Sequence, residues 1–89
     1  MQSKSELVDA LCQIRRRDEM IRFLQELLSE KEMEHVVCRW RLMKDLYKGE
    51  TQRFIAKKYG ISLCKITRGA KVLKDEGSIS LKLIKDLED

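Results

Sequence analysis

The sequence predicts an all-α fold of six short helices, two of which form a helix-turn-helix. Three observations carry this. Apolar residues recur at three- and four-residue spacing along most of the chain, the period that gathers them on one face of a helix. No segment alternates apolar and polar residues as a half-buried strand does. The 89 residues include no Pro and four Gly, so few positions interrupt a helix.

Ser3 or Ser5 is placed to cap a first helix, in which Leu7, Leu11 and Ile14 stand at i, i+4 and i+7. The basic run Arg15–Arg17 closes it, since cations are favoured at a helix C-terminus. A second helix over about Asp18–Leu28 carries Ile21, Phe23, Leu24, Leu27 and Leu28 and is too apolar to stand exposed. Ser29 and Glu32 make a capping box that opens the longest helix, about Glu30–Lys48. Its apolar positions are Met33, Val36, Val37, Trp40, Met43 and Tyr47, and Gly49 ends it. Thr51 caps a fourth helix, Gln52–Tyr59, with Ile55 and Tyr59 facing inward. Gly60 supplies the turn, with Ile61 as the apolar residue inside it.

Ser62 caps the fifth helix, where Ile66, Ala70 and Leu73 at i, i+4 and i+7 must pack inward. Leu63, Cys64, Lys65, Thr67, Arg68 and Lys71 are left on or near its outer surface. Gly77-Ser78 breaks the chain before a closing helix, Ile79–Leu87, with Leu81, Ile84 and Leu87 apolar. This reads as one domain over residues 1–89, with helices for dimerisation in 1–48, the helix-turn-helix in 51–74 and the closing helix in 78–89.

A chain of this length buries only about 60% of its unfolded surface and is marginal alone. Its apolar content of 43% suggests that the surplus is covered by a second copy. The formal charge of +4 favours an anionic partner, though clustering matters more than the total. No apolar run is long enough to span a bilayer, and the N-terminus does not read as a signal peptide. Cys12, Cys38 and Cys64 lack CxxC spacing and read as reduced thiols of a cytoplasmic protein. His35 is the one histidine, which argues against a His-based metal site. With no nucleophile–base pair and no phosphate-cradling Gly loop, an enzyme is not expected.

Two helices of this size, with Gly60 at the bend and cations on the second, match the plan in which the second helix enters the DNA major groove. Gln52 and Arg53 open the first helix, where free backbone N–H groups and the helix dipole favour phosphate. Leu63 and Cys64 suit apolar contact with base edges or thymine methyls. The expected DNA surface is therefore Gln52, Arg53, Ser62, Leu63, Cys64, Lys65, Thr67, Arg68 and Lys71. Against it stands the plain reading of Lys65, Arg68 and Lys71 as a solvated face. Trp40 reads as core or interface packing, given its spacing to Val36, Val37 and Met43. A helical interaction module that has lost DNA binding is the competing reading. It would not need those three cations unpaired.

Arg39-Trp40-Arg41, Gly49-Glu50, Gln52-Arg53, Tyr59-Gly60-Ile61-Ser62, Ile66-Thr67-Arg68-Gly69 and Leu73-Lys74 together resemble the Trp repressor family from about Phe23 to Lys74. The resemblance implies an intertwined homodimer binding a palindromic operator in double-stranded DNA, with L-tryptophan as co-repressor. It implies that Arg39 and Arg68 sandwich the indole, that Leu28 and Ser29 reach the pocket from the partner chain, and that Gly69 leaves room for the ligand. Guanidinium stacking on an aromatic face contributes roughly 0.5–2 kcal/mol. The sequence departs from the family's pattern at three places. Val72 stands where a small polar residue helps hold the ligand's amino group, the connection from Gly49 to Gln52 is one residue shorter, and Phe54 replaces an acidic residue. A regulator of the same fold that needs no ligand is thus a further reading.

Overall fold

The computed structural model describes residues 2–88, and these are helical throughout apart from short connections. The six helices are α1 (Gln2–Gln13), α2 (Arg17–Leu27), α3 (Glu30–Tyr47), α4 (Gln52–Tyr59), α5 (Leu63–Lys74) and α6 (Ile79–Glu88). They divide into two compact units, one running to Glu34 and one from His35 onward.

In the first unit, α1 already includes Ser3 and Ser5, so neither serine is the cap that the sequence suggested. The basic run does not close α1 either. Arg17 is the first residue of α2, and Arg16 turns its guanidinium onto Asp18 at 3.0 Å. The reason is local, because Asp18 and Glu19 stand in the first turn of α2 and suit a helix N-terminus. Neither α1 nor α2 contains a buried residue, and Leu7, Val8, Ile21 and Leu27 are exposed. The capping box forms as expected: Glu32 N–H donates to Ser29 Oγ at 3.1 Å, and Ser29 N–H donates to Glu32 Oε1 at 2.9 Å.

The second unit is built on Leu42, Ile55 and Ile66, one each from α3, α4 and α5. Met43, Leu46, Ala56, Tyr59 and Ile61 pack around them. Of the periodic stripe of α3 identified in the sequence, this core uses Met43, at its edge. Val36 and Val37 are exposed, and the buried positions are Leu42 and Asp45. Gly69 explains how α5 comes so close to α3. A Cβ there would lie 2.5 Å from Leu42 Cδ1.

Helix α6 begins at a Ser78 cap, whose Oγ accepts from Leu81 N–H at 3.0 Å. Ile84 is buried, whereas Leu87, expected inward, is 70% exposed. Residues three apart on a helix differ by about 60° around its axis, so Leu81 and Leu87 flank Ile84 on opposite sides. Leu81 turns in and Leu87 turns out. Glu88 beside it is engaged by Lys44 at 3.4 Å and Lys48 at 3.9 Å, which ties the end of α6 to α3.

Candidate functional site

The site begins at the end of α3. Gly49 adopts φ +95°, a left-handed conformation open to glycine, and its N–H donates to Leu46 O at 3.0 Å. Glu50 N–H then reaches back to Asp45 O at 3.1 Å, closing the short connection before α4. Thr51 caps α4, its Oγ1 accepting from Phe54 N–H at 3.1 Å. Phe54, standing where a capping-box acid would be, is 55% exposed and returns nothing to Thr51. Gly60 ends α4 at φ +65°, ψ +37°, and the Ile61 N–H closes the turn on Ala56 O at 3.1 Å. Ser62 occupies the cap position of α5 with extended backbone, but its hydroxyl makes no capping bond, contrary to the sequence reading.

This turn aims α5 so that Ile66 and Gly69 are buried. Ser62, Leu63, Cys64, Lys65, Thr67, Arg68 and Lys71 are all exposed. Arg53 is exposed at the start of α4, and Gln52 beside it is half-buried. The nine residues of the expected DNA surface thus fall on two helix N-termini and one outer helix face. Thr67 connects them, its hydroxyl donating to Gln52 Oε1 at 3.0 Å. A carbonyl so occupied leaves the two N–H donors of Gln52 for an acceptor such as phosphate. Among the described residues, no ion pair involves Arg53, Lys65, Arg68 or Lys71.

Of the expected ligand set, Arg39 and Arg68 are both exposed, Val72 is exposed, and Gly69 is buried against Leu42. Leu28 is half-buried at the C-cap of α2, and Ser29 is exposed with its oxygen accepting from Glu32 N–H. A groove of about 470 Å³ in the second unit is lined by Leu46, Tyr47, Gln52, Ala70, Leu73 and Leu81. Neither Arg39 nor Arg68 lines it.

The sequence reading missed Asp45. This carboxylate is 9% exposed, and its Oδ2 accepts from the Tyr59 hydroxyl and from Lys58 Nζ at 3.3 Å. Lys58 Nζ also lies 3.7 Å from Glu50 Oε1. Burial pushes the Asp45 carboxyl up, but the bonds from Tyr59 and Lys58 outweigh it and hold the group below its ordinary value. Burial and then the Asp45 carboxylate raise the Tyr59 phenol. For Lys58, desolvation lowers the ammonium, and Asp45 and Glu50 more than reverse that. A signal existed: Asp45 interrupts α3 between Leu42 and Leu46, where a charge without a partner has no reason to be.

A Thr-capped helix, a left-handed glycine turn and a second helix with a bare cationic face define the helix-turn-helix class. The chain belongs to the Trp repressor family: the family profile described as Trp repressor protein matches residues 2–85. It is similar to a protein named Trp operon repressor homolog from Chlamydia trachomatis serovar D, at 47% identity over 58 residues, 60% of this chain and 62% of that one. It also resembles the Trp operon repressor homolog of Xylella fastidiosa strain M23, at 39% identity over 70 residues, 78% of this chain and 76% of that one. The chain therefore spans less than two thirds of the Chlamydia relative. No solved structure matches it. No helix of the described residues is long and apolar enough to cross a membrane.

Proposed function

We propose that the chain is a sequence-specific DNA-binding transcriptional repressor of tryptophan metabolism genes, acting as a homodimer on a palindromic operator with L-tryptophan as co-repressor. The observation that carries the reading is the outer face of α5, where Lys65, Arg68 and Lys71 are exposed, with no ion pair among the described residues, behind a capped α4 and the Gly60 turn. A solvated face would tolerate such cations. A groove-reading helix requires them, because neutralising phosphates releases condensed counterions and supplies much of the affinity. For the ligand, Arg39 and Arg68 are free to stack on an indole, and Arg68 also belongs to the reading helix. One residue serving both surfaces supports linkage between tryptophan and DNA. The Ser29 hydroxyl, although it accepts from Glu32, retains its own proton to donate to a ligand carboxylate.

The test is binding to duplexes selected from a randomised palindromic library, with and without L-tryptophan, together with calorimetric titration of the ligand. Lys65→Ala and Lys71→Ala are expected to weaken duplex binding with helical content intact, each reducing the salt dependence by about one contact per half-site. Unchanged affinity in both variants would favour the helical interaction module. Arg68→Leu is expected to abolish any effect of tryptophan.

Val72 favours a second reading, a repressor of the same fold that needs no ligand. Its side chain offers no acceptor to an amino group, and a neutral hydrogen bond is worth roughly 0.5–1.5 kcal/mol. Val72→Ser is expected to tighten tryptophan binding by about tenfold at most. Tight duplex binding that ignores tryptophan would decide for the ligand-independent repressor.

A further inference from the structure

The shared core of Leu42, Ile55 and Ile66 holds α4 near α3, but apolar contact is non-directional and leaves the helix free to roll. Directional bonds at both ends of α4 remove that freedom. At its C-terminal end, the Tyr59 hydroxyl and the Lys58 ammonium converge on one oxygen of Asp45, which projects from α3. Asp45 is the one buried charged side chain among the described residues. Rolling α4 away would strip a buried carboxylate of both donors, and an orphaned buried charge is far more costly than a lost contact between neutral groups. At its N-terminal end, Gln52 accepts from Thr67 of α5 at 3.0 Å. The backbone bond from Glu50 N–H to Asp45 O fixes the connection that leads into α4.

We infer that Asp45 and Tyr59 are positioning residues for the DNA-reading surface, setting the attitude of α4, and through Gln52–Thr67 that of α5, in the chain with no ligand bound. The inference rests on the proposed DNA-binding function and goes beyond it, since neither residue belongs to the DNA-facing or ligand-facing sets. It gives a physical route to a repressor whose reading helix is set from within. A bond to a charged acceptor is stronger than one between neutral groups, and this one joins the helix that carries Arg39 to the helix that precedes the reading helix.

The experiment uses the full chain and Tyr59→Phe, which removes one hydroxyl and keeps the ring. Hydrogen exchange of the α4 amides, in the absence of DNA and L-tryptophan, is expected to accelerate about tenfold in the variant, with α6 changed less and the melting temperature lowered by roughly 5–10 °C. Affinity for the selected duplex without L-tryptophan is expected to fall by a similar factor. Asp45→Asn exchanges the charged acceptor for a neutral one and removes the ion pair with Lys58, so α4 exchange is expected to accelerate in that variant too, and an unchanged rate there also counts against the inference. Unchanged α4 exchange in Tyr59→Phe overturns the inference. So does faster exchange with unchanged duplex affinity, which would reduce the pair to ordinary packing. Failure of the unsubstituted chain to bind any duplex would overturn the DNA reading itself, and the exchange measurement separates the two because it needs no DNA.

Discussion

At Gly69, a Cβ would stand 2.5 Å from Leu42 Cδ1 and 3.4 Å from Met43 Cγ. Leu42 is 2% exposed and shares its cluster with Ile55 and Ile66, so its methyl has little room to retreat. The resemblance to the family suggested a glycine that leaves room for a ligand. In the single chain, the space is filled by Leu42. Gly69→Ala is expected to lower the melting temperature by a few degrees. Overpacking costs about 1–3 kcal/mol, and the gain of about 1 kcal/mol from better helix propensity offsets only part of it. Shortening the neighbour with Leu42→Val should recover part of the loss in the double variant. A rise in melting temperature for Gly69→Ala alone would mean that α5 can withdraw freely. Asp45 teaches the same lesson in polar form, because its role depends on Tyr59, fourteen positions along the chain.

Among the elements, α4 and α5 differ in how they start. Thr51 and Ser62 both precede a helix and both have extended backbone, yet only Thr51 accepts a bond from the turn it opens. Thr51→Ala is therefore expected to cost about 1 kcal/mol of stability. Ser62→Ala should cost markedly less. Chemical denaturation of the two variants side by side checks this, and equal losses would contradict the assignment. The capping pattern was legible where it is purely local, as at Ser29–Glu32, where donor and acceptor lie three residues apart. It misled at Ser3 and Ser5, because α1 runs past both toward the N-terminus. Basic residues misled at Arg15–Arg17 for a related reason. The carboxylate that engages Arg16 belongs to the following helix.

For the whole molecule, the first unit is the telling part. No residue of α1 or α2 is buried, and Leu7, Val8, Ile21 and Leu27 are open to solvent, as are Val36 and Val37 of α3. A surface of that kind on a short chain is characteristic of a protomer whose core is completed by another copy. We therefore propose that the folded state is a homodimer. Its melting temperature should rise with protein concentration, as mass action requires when folding and association are linked. Sedimentation that finds a stable folded monomer at micromolar concentration would remove the proposal.

The sequence alone determined the six helices, their order, and the Gly60 turn that turns Lys65, Thr67, Arg68 and Lys71 outward while Ile66 goes in. These follow from interactions between residues at most a few positions apart: helical periodicity, a cap with its N3 residue, a glycine at positive φ. Only the tertiary structure decided that Leu42 rather than Val36 or Val37 anchors α3, that Gly69 is a contact and that Leu87 faces out. It alone paired Asp45 with Tyr59, and Thr67 with Gln52. Each depends on which helix lies opposite, and periodicity marks a face of a helix without naming what covers it.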